Sequence, residues 1–131
     1  GGKGLHVVSP LKPKAGWDEV KDFAKSVAEA MAGDSPDRFV SVVSKAQRKG
    51  RILVDYLRNG RGATGVAPYS SRARAGATVA MPLGWDELSP AVGSGYFTVV
   101  NAPARIQSLK SDPWADFHAA AVPLGGKGKK R

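Results

Sequence analysis

The sequence contains no cysteine, so a disulfide framework, a thiolate metal site and a cysteine nucleophile are all excluded. It has only two histidines, His6 and His118, and because they lie far apart in the chain a structural zinc site is not expected. It also lacks an apolar run of about 18 residues, which a membrane-spanning helix would need. With 131 residues, 42% of them apolar and 24% charged, the chain has the size and composition of one globular domain.

Acidic residues are scarce, because 11 Asp and Glu stand against 20 Lys and Arg and the formal net charge is +9. The excess is concentrated in residues 45–74, where Asp55 is the only acid among eight basic residues. Those basic residues are Lys45, Arg48, Lys49, Arg51, Arg58, Arg61, Arg72 and Arg74. A solvated surface of mixed charge would interleave the two signs. This segment therefore predicts a polyanionic partner, either nucleic acid or the phosphates of a nucleotide.

Asp55 is the unusual residue of that segment. It follows three apolar residues, 52–54, so we expect it near the end of a buried strand, where a carboxylate needs a partner. One interpretation is a salt bridge to a neighbouring arginine. The other is a divalent-metal ligand in a cationic pocket, since carboxylate oxygens suit Mg²⁺ or Mn²⁺ and arginine suits phosphate oxygens. The local pattern leaves both interpretations open.

The hydrophobic pattern predicts a mixture of helices and short strands. Apolar residues at three- and four-residue steps predict one long amphipathic helix, from Trp17 to Gly33. Apolar and β-branched runs predict strands at 5–8, 51–57, 66–69, 78–81 and 96–100, with 39–43 as a strand or a helical turn. Short helical segments are predicted at 85–88, 104–109 and 114–121. Because strands do not alternate with long crossover helices, we expect an α+β fold with a mixed, largely antiparallel sheet and flanking helices.

Two short motifs have local explanations. The tetrapeptide Gly-Trp-Asp-Glu occurs at 16–19 and again at 84–87, and it suits a helix start, so convergence accounts for it. Residues 60–65 match the pattern G-x-G-x-x-G. A dinucleotide site needs a helix to follow that pattern, whereas an extended segment with Pro68 follows here, so the dinucleotide interpretation is disfavoured.

His6 has two interpretations of its own. A histidine in an apolar strand is often a core residue with its hydrogen bonds satisfied. This one, however, follows the glycine-rich, lysine-bearing residues 1–4. Such turns expose backbone N–H groups, and a histidine just beyond can donate to a phosphate oxygen.

Several segments together resemble the polymerase domain of bacterial ligase D, which belongs to the archaeo-eukaryotic primase superfamily. Residues 1–7 (GGKGLHV) resemble its second motif and residues 48–59 (RKGRILVDYLRN) its third. Residues 66–74 and 82–88 resemble the segment that follows, and residues 112–116 also fit. The resemblance implies half of a primase-polymerase-like domain. It also implies an activity that adds nucleotides to DNA ends and fills gaps in Ku-dependent end joining, by two-metal phosphoryl transfer.

The resemblance implies roles for particular residues. Asp55 is expected to be the catalytic carboxylate that binds the metal, Mn²⁺ or Mg²⁺. His6, Arg58 and Arg72 are expected to contact the triphosphate of an incoming NTP or dNTP, with His6 also in the catalytic site.

Two further residues and the partners follow from the same resemblance. Arg48 is expected to support the site or the phosphates, and Lys3 with the first glycines to form a phosphate-facing turn. The expected partners are DNA ends and NTP or dNTP, with Ku and a ligase domain beside them and no membrane. The implied location is the bacterial cytoplasm, at the nucleoid.

One motif of the family has no counterpart in this sequence. The first motif carries two acids separated by one residue, whereas the acid pairs at 18–19 and 86–87 are adjacent and stand at helix starts. We therefore expect residues 1–124 to be roughly the C-terminal half of such a domain. Residues 125–131 are expected to form a basic flexible tail.

Three hypotheses follow, because one carboxylate cannot hold two divalent ions at useful affinity. The chain is half of an enzyme, completed by an N-terminal half on another chain or upstream. Alternatively, it is a non-catalytic remnant that binds nucleotide or DNA phosphates. In the third hypothesis it is a structural remnant that forms a homo-oligomer, since a half-domain leaves apolar surface and a strand edge open.

Overall fold

The fold comes from a computed structural model that describes residues 4–124, without the side chain of Lys45. The predicted tail at 125–131 lies outside the described residues. The described chain divides into two compact units. The first unit comprises residues 4–10 and Val66–Ala121, and the second comprises Leu11–Gly65 with residues 122–124.

The long helix α1 dominates the second unit and spans Trp17–Asp34, which confirms the predicted helix. At its start, the Glu19 carboxylate accepts a hydrogen bond from the backbone N–H of Gly16 at 2.9 Å. Asp18 and Glu19 in the first turn also suit the positive end of the helix dipole. At the other end, the N–H of Ser35 donates to the carbonyl of Met31, which closes the last turn.

The second unit also contains a parallel pair of two-residue strands, β1 (Phe39–Val40) and β2 (Ile52–Leu53). Phe39 pairs with Ile52 and Val40 pairs with Leu53. The short helix α2 (Lys45–Arg48) lies in the connection between them, and α1 packs against β1.

The expectation of a largely antiparallel sheet is not confirmed, although the mixture of helices and strands is. The one named sheet of the described residues is parallel. Among residues 4–124, antiparallel pairing is limited to two isolated residue pairs in the first unit, Ser71 with Val79 and Thr78 with Thr98. Strand direction depends on how a connection returns the chain. Here the connection through α2 brings the chain back so that β2 runs parallel to β1. The residues of the two strands themselves do not indicate that direction.

The first unit is built mainly from turns around these two pairs. A single 3₁₀ turn spans Trp85–Glu87, as predicted for 85–88. Helix α3 spans Ala102–Ser108 and begins two residues before the predicted 104–109. Its start is fixed by Asn101, whose carboxamide oxygen accepts from the N–H of Thr98 while its NH₂ donates to the carbonyl of Tyr96.

Several local predictions are wrong or too long, among them the strand at 66–69, where residues 68–69 form a turn instead. Residues 5–8 form no strand, and Val7 is 75% exposed, so the segment is not buried as expected. Residues 114–121 form successive turns rather than a helix. The predicted strand at 51–57 is ordered as a strand only at Ile52–Leu53. Apolar runs indicate strands only where a neighbouring strand pairs with them, and no described segment pairs with 5–8.

The buried core of the described residues is small. Its members are Ala28, Val40, Pro82 and Ala102, and no large side chain among residues 4–124 is fully buried. Many large apolar side chains are instead exposed. Within the same residues, no helix is long and apolar enough to cross a bilayer.

Candidate functional site

A cavity of about 550 Å³ lies in the first unit, and every residue that lines it belongs to that unit. Its wall is mostly apolar and includes Trp85, Phe97 and Trp114. His6 and Arg72 line the same cavity. A volume in the range of small-molecule sites, with an apolar wall and few polar groups, is typical of a ligand pocket.

Arg72 is held at the cavity by its backbone. Its N–H donates to the carbonyl of Thr78 at 2.9 Å, beside the antiparallel pair of Ser71 and Val79. The chain reverses between these segments at Gly76, whose φ of 87° lies in the left-handed region that glycine adopts readily. An arginine guanidinium can bind a phosphate with two parallel hydrogen bonds.

His6 lies on the cavity wall in a segment without regular structure, and it is exposed. The interpretation of His6 as a core histidine is therefore wrong. The structure brings His6 and Arg72 to one cavity, although 65 residues separate them in the sequence. Together they give a mostly apolar pocket, which Asp116 also lines, two groups that can donate hydrogen bonds to an anion.

A bidentate ion pair stands beside the cavity and was not expected from the sequence. Both terminal nitrogens of Arg105 donate to the two carboxylate oxygens of Glu87, one of them at 2.9 Å. Arg105 also donates to the carbonyl of Pro82 and lies 5.0 Å from the ring centroid of Phe97. Because Pro82 and Phe97 line the cavity, this pair fixes part of its wall.

The environment of Glu87 stabilises its charged form. Hydrogen bonds from Arg105, and then one from the backbone N–H of Gly84, lower the pKa of Glu87 to about 2. The same contact with Glu87 raises the pKa of Arg105 above its usual value. The Gly-Trp-Asp-Glu tetrapeptide indicates the bond between Glu87 and Gly84. Nothing local indicates the bond to Arg105, which lies 18 residues further along the chain.

Tyr69 is linked through Asp112 to Trp114, a residue of the cavity wall. Its hydroxyl donates to Asp112 at 2.9 Å, and the same oxygen of Asp112 accepts from the N–H of Trp114 at 2.8 Å. Partial burial, and then the hydrogen bond to Asp112, raises the pKa of Tyr69 to about 12. Asp112 therefore positions Trp114, whose ring stacks on Phe117 with centroids 4.9 Å apart.

Asp55 belongs to the second unit and lies two residues after β2. It is exposed rather than buried, and its Oδ1 accepts a hydrogen bond from the N–H of Leu57 at 2.9 Å. No described arginine of its unit forms an ion pair with it, so the salt-bridge interpretation is wrong. An exposed carboxylate in a turn needs no such partner, because water solvates it.

The remaining predicted residues are also in the second unit, apart from Lys3, which lies outside the described residues. Arg58 is exposed, and its guanidinium donates to the carbonyl of Thr64, which closes the glycine-rich loop between them. Arg48 is half-buried at the end of α2, and its carbonyl accepts from the N–H of Arg51 at 2.8 Å. The structure thus places Arg48, Asp55 and Arg58 in one unit, and His6 and Arg72 in the other.

The donor set does not fit a two-metal centre within residues 4–124. No group of three or more histidine or carboxylate side chains in that range is arranged to hold a metal ion. Asp55 supplies a single carboxylate, whereas divalent ions of this class take about six oxygen ligands.

Comparisons with known proteins agree on one family. The family model described as the LigD primase-polymerase domain matches residues 1–114. The multifunctional non-homologous end joining protein LigD of Pseudomonas aeruginosa is 46% identical over 118 residues, which are 89% of this chain and 14% of that protein. The multifunctional non-homologous end joining DNA repair protein LigD of Mycobacterium tuberculosis is 38% identical over 123 residues, 88% of this chain and 16% of that protein.

A solved structure has the same fold. It is the polymerase domain from Mycobacterium tuberculosis ligase D in complex with DNA, and it matches with a TM-score of 0.74 at 31% identity. The match covers 86% of this chain and 38% of that one. The chain therefore spans a small part of its full-length relatives and well under half of the solved domain.

Proposed function

Because the chain belongs to the family of LigD primase-polymerase domains, we propose that it forms the triphosphate-binding part of a DNA end-joining repair polymerase. That polymerase transfers a nucleotide from NTP or dNTP to a DNA 3′ end. The observation that carries the proposal is the shared cavity of His6 and Arg72 in the first unit. Both residues were expected to contact the triphosphate.

The cavity supports nucleotide binding on chemical grounds. Arg72 can bind a phosphate through two parallel hydrogen bonds, and His6 can donate one more. The apolar and aromatic wall, with Trp85 and Phe97, offers a surface on which a base or sugar can lose its hydration. Catalysis of phosphoryl transfer consists mostly of positioning and charge stabilisation, so binding groups of this kind are what the reaction requires.

For the second unit, taken by itself, we propose the roles that the family resemblance implies for Asp55, Arg58 and Arg48. Arg58 would exchange its hydrogen bond with Thr64 for one to a phosphate oxygen, since both are oxygen acceptors. Asp55 would supply one oxygen ligand to Mn²⁺ or Mg²⁺, with the other ligands coming from outside residues 4–124. We expect Mn²⁺ to bind this chain alone only weakly.

DNA is the proposed macromolecular partner. The solved relative is in complex with DNA, and residues 45–74 of this chain carry eight basic residues and one acid. Phosphate contacts release counterions, so DNA affinity should fall steeply and log-linearly as salt rises. An affinity that does not change with salt would remove the basic segment from the interface. Ku and a ligase domain are proposed as the neighbouring components of the pathway.

Nucleotide binding is tested with a fluorescent nucleoside triphosphate and two arginine variants. Arg72→Ala should weaken binding about tenfold or more, since a hydrogen bond to a charged group contributes about 1.5–3 kcal/mol. Arg74→Ala is the matched control, because it removes the same charge two residues away and Arg74 does not line the cavity. Equal losses in both variants would indicate general charge attraction and contradict the proposed site.

Catalysis is tested by Mn²⁺-dependent addition of a labelled ribonucleotide to a gapped, 5′-phosphorylated primer–template. Incorporation that Asp55→Ala abolishes would support a working site. A folded chain that binds DNA without incorporating nucleotide is expected both of half an enzyme and of the second candidate function, a non-catalytic binder of nucleotide or DNA phosphates. The single exposed carboxylate at Asp55 and the lack of a metal-binding group within residues 4–124 support that second candidate.

A further inference from the structure

Tyr69 has a strained backbone three residues before Arg72. Within residues 4–124, Tyr69 with a φ of 68° and Ala77 with a φ of 44° are the two non-glycine residues in the left-handed region. A bulky residue with such a φ loses conformational free energy, which the contacts around it must offset. Such strain persists where the surrounding structure fixes the backbone, most often at functional sites.

The backbone of Tyr69 begins the pairing that brings Arg72 to the cavity. The N–H of Tyr69 donates to the carbonyl of Ala80 at 2.6 Å, and the N–H of Ala80 donates to the carbonyl of Ser70 at 3.0 Å. The N–H of Arg72 then donates to the carbonyl of Thr78 at 2.9 Å. Because Thr78 and Ala80 line the cavity, the path of the chain from Tyr69 onwards decides where Arg72 meets the cavity.

The hydroxyl of Tyr69 fixes the side chain at the strained position. It donates to Oδ1 of Asp112 at 2.9 Å, and that oxygen is itself held by the N–H of Trp114 at 2.8 Å. Tyr69 is 36% exposed, so packing alone leaves its ring partly free to move. The hydrogen bond to Asp112 is therefore the specific contact that can offset the strain at Tyr69.

The choice of residue at this position supports a role for that contact. A glycine would adopt the left-handed φ without strain. The tyrosine instead provides a side chain that reaches Asp112, a residue 43 positions further along the chain. The turn that precedes Arg72 is thereby tied to the segment that carries Trp114, and both Arg72 and Trp114 line the cavity.

We propose that Tyr69 is a positioning residue for Arg72: through its hydrogen bond to Asp112, it holds the backbone from which Arg72 is presented to the cavity. The inference rests on the proposed function, because it concerns the nucleotide pocket of the first unit. It adds to that pocket a residue that does not itself line the cavity.

The first test is a double-mutant cycle with the fluorescent nucleoside triphosphate. Tyr69→Phe keeps the ring and removes the hydrogen bond to Asp112, so it should weaken binding by about threefold or more. In an Arg72→Ala background the same change should alter the affinity by less than about 1.5-fold, because Tyr69 acts through Arg72. Equal losses in the two backgrounds would overturn the proposal.

The matched control for this cycle is Tyr96→Phe. It removes a tyrosine hydroxyl from the same unit, at another residue that does not line the cavity. It should leave the affinity for the nucleotide within error. A loss as large as that of Tyr69→Phe would contradict a specific role for Tyr69.

Conservative variants separate positioning from a general effect on the fold. Asp112→Asn keeps an oxygen that can accept from the Tyr69 hydroxyl and should retain the affinity within about twofold, whereas Asp112→Ala should lose at least as much as Tyr69→Phe. Tyr69→Gly should bind more tightly than Tyr69→Ala, because glycine adopts the left-handed backbone without the hydrogen bond. The reverse order of these two variants would contradict the proposal.

A measurement without nucleotide distinguishes a failure of this inference from a failure of the proposed function. In Tyr69→Phe, amide hydrogen exchange followed by NMR should be about fivefold faster at Arg72 than in the native chain. The control amide is that of Ala102, which donates to Thr98 in the same unit and should change by less than about twofold.

Unchanged exchange at Arg72 would overturn the positioning role even if the native chain binds nucleotide. Faster exchange at Arg72 in a chain that binds no nucleotide would refute the nucleotide pocket and still support Tyr69 as the residue that positions Arg72.

Discussion

Residues 16–19 and 84–87 have the same sequence, Gly-Trp-Asp-Glu, and the same local structure, yet they start elements of very different length. In both, the glutamate accepts a hydrogen bond from the N–H of the glycine, at 2.9 Å for Gly16 and 2.8 Å for Gly84. The first tetrapeptide begins the 18-residue helix α1, and the second begins a 3₁₀ turn of three residues. The tetrapeptide therefore specifies where a helical element starts and does not determine how long that element is.

The residues that follow each tetrapeptide explain the difference. After Glu19 come fifteen residues with no proline, rich in alanine, lysine and acids that favour helix. After Glu87 come Leu88 and Ser89 and then Pro90, which disfavours helical backbone at Ser89 and ends the turn. Glu87 also has a distant partner in Arg105, whereas Glu19 is exposed. The tetrapeptide at 16–19 therefore stabilises only the start of its own helix. The tetrapeptide at 84–87 also holds the cavity wall in place, through the ion pair of Glu87 with Arg105.

The largest loss of stability should come from removing the ion pair of Glu87 with Arg105. Arg105→Ala leaves Glu87 without its bidentate partner and should lower the free energy of unfolding by about 2 kcal/mol, the range of a hydrogen bond to a charged group. Urea denaturation followed by circular dichroism measures the change. Arg105→Lys, which keeps the charge and loses the two parallel bonds, should recover only part of it. A loss below that of Glu19→Ala would contradict the role of this ion pair.

The same pair should make stability depend on pH. The pKa of Glu87 is lowered from 4.5 to about 2 in the folded chain, so its contribution is complete above about pH 4.5 and is lost as the pH falls towards 2. Urea midpoints measured from about pH 5 to about pH 2 should fall more steeply in the native chain than in Glu87→Gln. Parallel curves for the two proteins would show that Glu87 titrates normally.

Removing the carboxylate from the first tetrapeptide should have a smaller effect. Glu19→Ala loses the hydrogen bond from Gly16 and one acid near the helix N-terminus, and should cost about 0.5–1 kcal/mol. The helical signal in circular dichroism, followed through urea denaturation, reports the change. Glu29→Ala, a substitution of an exposed acid in the middle of α1, is the control and should leave the midpoint within error.

The smallest expected change in stability distinguishes a substitution of Gly84 from the same substitution of Gly16. A Cβ on Gly84 would lie 2.8 Å from the Asp86 carboxylate, which would have to rotate away, whereas a Cβ on Gly16 would meet nothing closer than 3.8 Å. Gly84→Ala should therefore cost a few tenths of a kcal/mol more than Gly16→Ala. Paired urea midpoints decide the sign, and a larger cost for Gly16→Ala would reverse this order.

Sequence reasoning succeeded where the signal was local and failed where it required a partner. The spacing of Trp17 and the apolar residues after it predicted α1 to within one residue of its end. The apolar run at 5–8 carried an equally clear strand signal, but no described segment pairs with it and Val7 is exposed. Asp55 stands out in the sequence as the one acid of the basic segment, and its predicted burial is wrong because β2 ends two residues before it.

The candidate site shows the same division. His6 and Arg72 were selected through resemblance to the family, and the structure places both on one cavity. Glu87 and Arg105 were missed, because an arginine 18 residues from its carboxylate has no recognisable spacing. Tyr69 and Asp112, 43 residues apart, were missed for the same reason.

The sequence by itself determined the family, the excess of positive charge, the helix α1 and the two glycine–glutamate starts. Each of these depends on composition, on a motif or on residues within about one turn of one another. Only the tertiary structure decided the parallel pairing of Phe39 with Ile52, the ion pair of Glu87 with Arg105 and the cavity lined by His6 and Arg72. These contacts join residues far apart in the chain, and which of many distant partners meet is set by how the whole chain packs.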